Sequence, residues 1–236
     1  SDDEKVIAGF LKNEPPLPEP RLQELIAKNR TAGRLHYTTD FGTIRDANVV
    51  WFGFDTPVND DDEVDLSPVW NALKKSLPFL ANGTLIVVSS QIPVGTSKKI
   101  IDMIRKERPG LDFDYVYTPE NLRLGEAVKC FMEPGRIVAG VESEAGLKKI
   151  KEIFEPLNAE IVRMSAASAE MTKHALNAYL ATSVSFINDI ADACEKSDAD
   201  VLDVARALRS DSRIGPKAFL DAGLGFSGGT LGRDLR

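Results

Sequence analysis

The chain has 236 residues, 43% hydrophobic and 28% charged, an ordinary globular composition long enough for one large domain or two small ones. A net charge of −7 argues against a general nucleic-acid binder. There is no apolar run of about 18 residues, so no spanning helix, and no membrane partner is expected. Cys130 and Cys194 make no disulfide framework. Two histidines, His36 and His174, leave no zinc signature, and no metal site is expected. The charged start, Ser1-Asp2-Asp3-Glu4-Lys5, lacks the apolar core of a leader. A cytoplasmic protein with reduced thiols is therefore expected.

In chain order, residues 22–28 read as a short helix after the proline-rich stretch 15–20, and 35–38 as a short strand. The continuous apolar run 49–54 reads as a strand buried on both faces. Residues 65–80 are helical, with Ser67-Pro68 as the start signal. The acidic run 60–63 just before them fits a solvated loop. Strands follow at 85–88, 114–117, 136–140 and 160–164, with helices at 97–106 and 144–155 between them. This alternation predicts an α/β fold, a doubly wound and mostly parallel sheet with helices on both faces. From 168 to 197 there is no Gly or Pro, which predicts one helix about 45 Å long. A further helix covers 200–208.

Several segments carry chemistry. Asp55-Thr56-Pro57 and Ser89-Ser90-Gln91-Ile92-Pro93-Val94-Gly95-Thr96 each follow a buried strand, where open parallel sheets bind ligands. Turn chemistry alone accounts for such residues equally well. Thr118-Pro119-Glu120-Asn121-Leu122-Arg123-Leu124-Gly125 follows the next strand, and a lone glutamate there also fits a cap or a surface carboxylate. Lys173 and Asn177 stand at i and i+4 on the long helix and share a face. Aimed into a pocket, they would stabilise an alkoxide or orient a water. Spacing alone fits an exposed lysine face as well. Arg213, in Asp211-Ser212-Arg213-Ile214-Gly215, suits a phosphate or a salt bridge to Asp211. Last comes the Gly-rich segment Gly225-Phe226-Ser227-Gly228-Gly229-Thr230-Leu231-Gly232-Arg233-Asp234.

Taken in order, these segments resemble the UDP-glucose/GDP-mannose (nucleotide-sugar) dehydrogenase family. Its members carry a Thr-Pro turn, a Ser-Thr-Val-Pro-Val-Gly-Thr turn and Asn-Pro-Glu-Phe-Leu-Arg-Glu-Gly. They also carry Ala-Glu-x-x-Lys-x-x-x-Asn, Asp-x-Arg-Ile-Gly and the cysteine loop Gly-Phe-Gly-Gly-Ser-Cys-Phe-Pro-Lys-Asp. The resemblance spans nearly the whole chain. It implies an NAD-dependent oxidation of a primary alcohol on a UDP- or GDP-linked sugar, as in UDP-glucose 6-dehydrogenases, in the setting of polysaccharide precursor synthesis.

Carried over residue by residue, the resemblance implies catalytic roles for Glu120, Lys173, Asn177, Thr230 and Asp234. It assigns the cofactor to Thr56, Pro57, Ser90, Gln91 and Arg233. It assigns the substrate to Leu122, Arg123, Lys173, Asn177, Arg213, Phe219, Leu220, Gly225 and Gly228. It implies a homodimer built through the long helix. Residues 1–164 are expected to form part of a dinucleotide-binding domain, and 165–236 a central helical dimerisation and substrate region.

Three positions depart from the family's reaction centre. Thr230 stands where the family has its nucleophilic cysteine, Gln91 where it has threonine, and Leu124 where it has a second glutamate. In the family a cysteine thiolate adds to the aldehyde, a second hydride leaves the thiohemiacetal, and water releases the acid. A threonine hydroxyl ionises far less readily, so the second oxidation is expected to be altered or lost. A non-catalytic nucleotide-sugar-binding or regulatory homologue is a second reading. A β-hydroxyacid dehydrogenase with a similar central helix is a third, although the Asp-Ser-Arg-Ile-Gly and Gly-rich segments point away from it. The strand, Gly-x-Gly-x-x-Gly turn and helix that open a dinucleotide-binding domain do not occur together in this sequence; the glycine spacing itself appears only at 223–228, with no strand before it. The chain is thus expected to be the middle of a longer protein, without the first βα unit and the C-terminal domain.

Overall fold

The computed structural model describes residues 3–59 and 64–225. They divide into two compact units, one within Ser1–Thr56 and Leu66–Glu170, the other within Pro57–Asp65 and Met171–Arg236.

The first unit is built on five strands that lie side by side in chain order: β1 (Val49–Phe52), β2 (Thr84–Val88), β3 (Phe113–Tyr117), β4 (Ile137–Val141) and β5 (Ile161–Met164). The β1/β2, β2/β3 and β4/β5 pairs are parallel. The β3/β4 pair is antiparallel, matched at Val116↔Val141 and Tyr117↔Gly140. The reason lies in the connection. Between β3 and β4 only the six-residue helix α5 (Ala127–Met132) forms, with no crossover helix of the length that parallel pairing needs.

Every residue of β2 is buried, as its unbroken apolar run requires. Alternate side chains feed two cores. Val50, Phe52, Ile86, Val88, Tyr115 and Tyr117 face one side, together with α3 (Ser67–Ser76) and α4 (Thr96–Glu107). Leu85, Val87, Val116, Ala139 and Val141 face the other, together with α6 (Glu144–Phe154). The sheet is therefore covered on both faces, as the alternating pattern predicts.

Helix starts follow local chemistry. Asp3 caps α1 (Glu4–Leu11) by accepting from the Lys5 and Val6 amides. The α6 cap is Ser143, whose Oγ accepts from Gly146 N–H at 2.9 Å. Helix α2 covers Leu22–Thr31. The strand expected at 35–38 does not form. Tyr37 instead stacks on Phe10, with centroids 4.9 Å apart, and His36 bonds the Gly33 carbonyl. The residues that looked like strand formers there are aromatic packing groups.

The long helix α7 (Ala166–Ser197) begins against β4, and Gly140 makes that possible. A Cβ on Gly140 would lie 2.7 Å from both Ala166 Cα and Ala169 Cβ. Any side chain there would drive helix and strand apart.

At the other end of the sheet, Asp114 accepts from Ser143 Oγ and from Lys149 Nζ, which lies 2.8 Å away. Burial raises the Asp114 pKa, but the hydrogen bonds from Lys149 and Ser143, the Lys149 charge and the Gly146 amide outweigh it, so the net shift is downward. A carboxyl whose folded pKa lies below its unfolded value adds stability that is present above the unfolded value, about 4, and fades as pH falls through the folded one. Asp114→Asn should therefore lower the urea midpoint at neutral pH. The gap to the wild type should close in acid, and a gap that persisted there would assign the loss to packing.

The second unit holds the rest of α7 and helix α8 (Val201–Ser210), which Asp200 caps through Leu202 N–H. Ile187, Ala205 and Leu220 form its core, joined by Ile190, Val201 and Leu208. A Val58↔Val64 bridge, with Asp65 N–H donating to the Pro57 carbonyl at 2.8 Å, closes the base of the 57–65 turn. The acidic run 60–63 within it lies outside the described residues.

Candidate active site

In the first unit the loops after β1 and β2 are bound to each other. Thr56 Oγ1 donates to the Gln91 carbonyl at 2.8 Å, and Asp55 Oδ1 accepts from Thr56 N–H. Trp51 Nε1 donates to Ser89 Oγ at 2.9 Å. Tyr117 O–H donates to the Ser90 carbonyl at 3.3 Å, joining β3 to the same turn. Thr56, Ser90, Gln91, Tyr117 and Thr118 thus meet at the carboxyl ends of three adjacent parallel strands. Pro57 follows directly but is counted with the second unit.

One atom in this cluster stands out. Ser90 is buried, yet its Oγ has no hydrogen-bond partner among the described residues. A buried hydroxyl left unmatched costs about 1–3 kcal/mol. Such a group is completed by an ordered water, an ion or a ligand.

The turn ends at Gly95, whose φ of +90° lets the chain enter α4. No side chain within α4's own start caps it. Glu170, fully buried, does so from afar: its two oxygens accept from Gly95 N–H at 2.6 Å and from Ser97 N–H at 2.7 Å. Ser97 Oγ in turn accepts from Tyr115 O–H at 2.9 Å. Burial pushes the Tyr115 phenol well above its usual range, and the nearby Glu170 carboxylate adds to that.

Glu120 lies at the surface after β3, where its Oε2 accepts from Leu122 N–H at 2.6 Å. Leu122 and Leu124 are exposed. Arg123 is exposed as well, paired with Glu126 at 3.1 Å and reaching Cys130 Sγ at 3.7 Å. Glu19 tethers this loop by accepting from Gly125 N–H at 2.9 Å.

In the second unit, Lys173 and Asn177 stand one turn apart on α7, only 9% and 6% exposed. The exposed lysine face that spacing allowed is thus not what forms. The buried stripe continues through Ala181, Val184 and Ile187. Asn188 Oδ1 accepts from Gly223 N–H at 3.0 Å, next to Gly225. Phe219 is exposed and Leu220 is buried. Arg213 grips Asp211 through Nε at 3.0 Å and Nη2 at 2.7 Å, and this holds the Asp211 carboxyl below its usual range. Gly228, Thr230, Arg233 and Asp234 lie outside the described residues.

Sequence reasoning gave Glu170 no role. Its signal is its place as the glutamate of Ala-Glu-x-x-Lys-x-x-x-Asn, but its partners are backbone amides that no motif displays.

A doubly wound sheet with polar loops at the carboxyl ends of its strands is an architecture that binds nucleotides at those ends. Residues 1–158 match the sequence model of the UDP-glucose/GDP-mannose dehydrogenase family, NAD binding domain, and residues 167–236 match that of the family's central domain. The chain belongs to the UDP-glucose/GDP-mannose dehydrogenase family. It is 38% identical over 239 residues to a UDP-glucose 6-dehydrogenase of Rhizobium meliloti (strain 1021), covering 98% of this chain and 54% of that protein. It is 39% identical over 234 residues to UDP-glucose 6-dehydrogenase TuaD of Bacillus subtilis (strain 168), covering 98% of this chain and 50% of that protein. Among solved structures, a UDP-glucose dehydrogenase from Pyrobaculum islandicum superposes with a TM-score of 0.88 at 27% identity, covering 98% of this chain and 55% of that one. The chain thus spans about half the length of the curated relatives it matches.

Proposed function

We propose that the protein carrying this chain is an NAD-dependent nucleotide-sugar dehydrogenase. It oxidises the sugar's primary alcohol, with the cysteine-dependent second oxidation altered or lost. The observation that carries the first part is the burial of Lys173 with Asn177 one turn apart on α7. Burying an ammonium group is costly unless it meets partners of opposite polarity. A site that stabilises a developing alkoxide uses such a group.

The residues fit NAD. The spare Ser90 Oγ sits in a buried turn at the carboxyl end of a parallel strand, where dinucleotides bind. Thr56, Pro57, Ser90 and Gln91, with Arg233, would hold the cofactor. When bound, NAD supplies the hydride acceptor. Lys173 and Asn177 would hold the sugar oxygen as its proton passes to a bound water and negative charge grows there. Glu120 and Asp234 assist by orienting water. The family resemblance would assign the sugar nucleotide to Leu122, Arg123, Phe219, Leu220, Gly225 and Gly228, and one of its phosphates to Arg213 once Asp211 yields it.

The second part rests on Thr230, Gln91 and Leu124. The hydroxyl of Thr230 does not supply the ionised nucleophile of a covalent second oxidation. The same substitutions favour, as a second reading, a homologue that binds nucleotide sugar without turnover.

A homodimer is part of this reading. Met171, Tyr179 and Phe186 are exposed on α7. At 100° per residue they fall within about 80° of arc, one apolar stripe along the helix. A second copy of the helix would cover it. A cytoplasmic setting suits Cys130 and Cys194, both free thiols. No described helix is long and apolar enough to cross a membrane.

The test is a panel of UDP- and GDP-linked sugars offered to the complete protein with NAD. NADH formation with at least one sugar supports the reading. Sugar-nucleotide binding by calorimetry without NADH would favour the non-catalytic homologue. Binding of neither sugar-nucleotide nor NAD would sink both.

A further inference from the structure

Glu170 is the one fully buried carboxylate among the described residues, and the roles assigned above leave it unused. It reaches across 75 residues of sequence to Gly95 and 73 to Ser97. The amides it takes are those at the end of the 89–95 turn and in the first turn of α4. Because Gly95 has no side chain, α4 has no cap of its own. Glu170 therefore supplies the anion that the helix N-terminus attracts. It also fixes where the turn stops. Thr56 and Tyr117 hold that turn through the carbonyls of Gln91 and Ser90. The glutamate's own helix is held in place by Gly140, which lets Ala166 and Ala169 sit directly on β4.

From this geometry we infer that Glu170 is a positioning residue of the cofactor site: its carboxylate clamps the 89–95 turn so that the buried Ser90 hydroxyl is presented to NAD. The inference rests on the NAD-dependent reading above. Ser90 would touch the cofactor; Glu170 acts through the turn. Tyr115 O–H donates to Ser97 Oγ in the same first turn of α4.

The test compares the wild type with Glu170→Ala and Glu170→Gln in the complete protein. Native-state amide exchange is followed for the peptides over 89–97 and over β3, and calorimetry gives NAD and nucleotide-sugar affinities. In Glu170→Ala, exchange over 89–97 should quicken while β3 stays protected. NAD affinity should fall about tenfold, the scale of one lost charge-assisted hydrogen bond, with sugar affinity unchanged. Glu170→Gln keeps one acceptor oxygen and should shift both readouts the same way by less. If Glu170→Ala fails to fold, Glu170→Gln carries the comparison. A loosened turn with unchanged NAD affinity would overturn the positioning role. So would equal loss of protection across the sheet, which marks a general stabilising residue. A wild type that binds no NAD would remove the cofactor reading and the inference with it. The exchange data would then still show whether Glu170 fixes the turn.

Discussion

Lys173→Met in the complete protein should lower kcat for nucleotide-sugar oxidation by about a hundredfold to a thousandfold, the loss that follows removal of one donor to a developing oxyanion. Methionine is the informative replacement. Lys173 is only 9% exposed, so alanine would leave a cavity and confuse folding with chemistry. Methionine fills a similar volume without the charge, and thermal unfolding should then change by only a few degrees. Asn177→Ala should lower kcat in the same direction, since it removes a neutral donor from the same helix face. The two losses should not add, because both groups serve one oxygen. Unchanged kcat in Lys173→Met, with normal folding, would assign the buried lysine to structure alone.

The second large effect concerns Thr230. Thr230→Cys should raise the yield of NADH from about one to about two per sugar, because a thiolate adds to the aldehyde where a hydroxyl does not. The product should change from aldehyde to acid, with a covalent thioester trapped at early times. Gln91→Thr and Leu124→Glu would then be expected to quicken acid release, since each restores a family residue at the reaction centre. A variant that still stopped at the aldehyde would shift the block to those two positions. These outcomes separate one missing nucleophile from a reaction centre rebuilt at three places.

The parts of the fold that were legible in the sequence are those where one force decides. The apolar run of β2 could be read because a strand buried on both faces has no polar side to show. Helix α7 could be read because nothing interrupts it across 32 residues. The antiparallel entry of β4 was not legible, since it depends on what the 118–136 connection does in space. The misread strand at 35–38 shows how local propensity fails where an aromatic ring finds a partner, here Phe10. Helices α1 and α5, at 8 and 6 residues, are too short for their periodicity to register.

The candidate site divides in the same way. Lys173 and Asn177 were visible through spacing and resemblance, but their burial was not, because spacing alone fits either a wet or a dry face. Arg213 suits either a phosphate or Asp211 by its sequence context, and in the structure it holds Asp211. The unpartnered Ser90 hydroxyl could not be foreseen, since satisfaction of a hydrogen bond is a property of the packed turn. Glu170 was hidden most deeply. Its partners are main-chain amides, and a carboxylate capping a distant helix leaves no pattern in sequence.

The most direct test counts NADH. The complete protein is incubated with limiting nucleotide sugar and excess NAD, and NADH formed is divided by sugar consumed. A threonine at the nucleophile's position predicts about one NADH per sugar, with an aldehyde or its hydrate as product. Two NADH per sugar, with the free acid as product, would contradict the claim that Thr230 withholds the second oxidation.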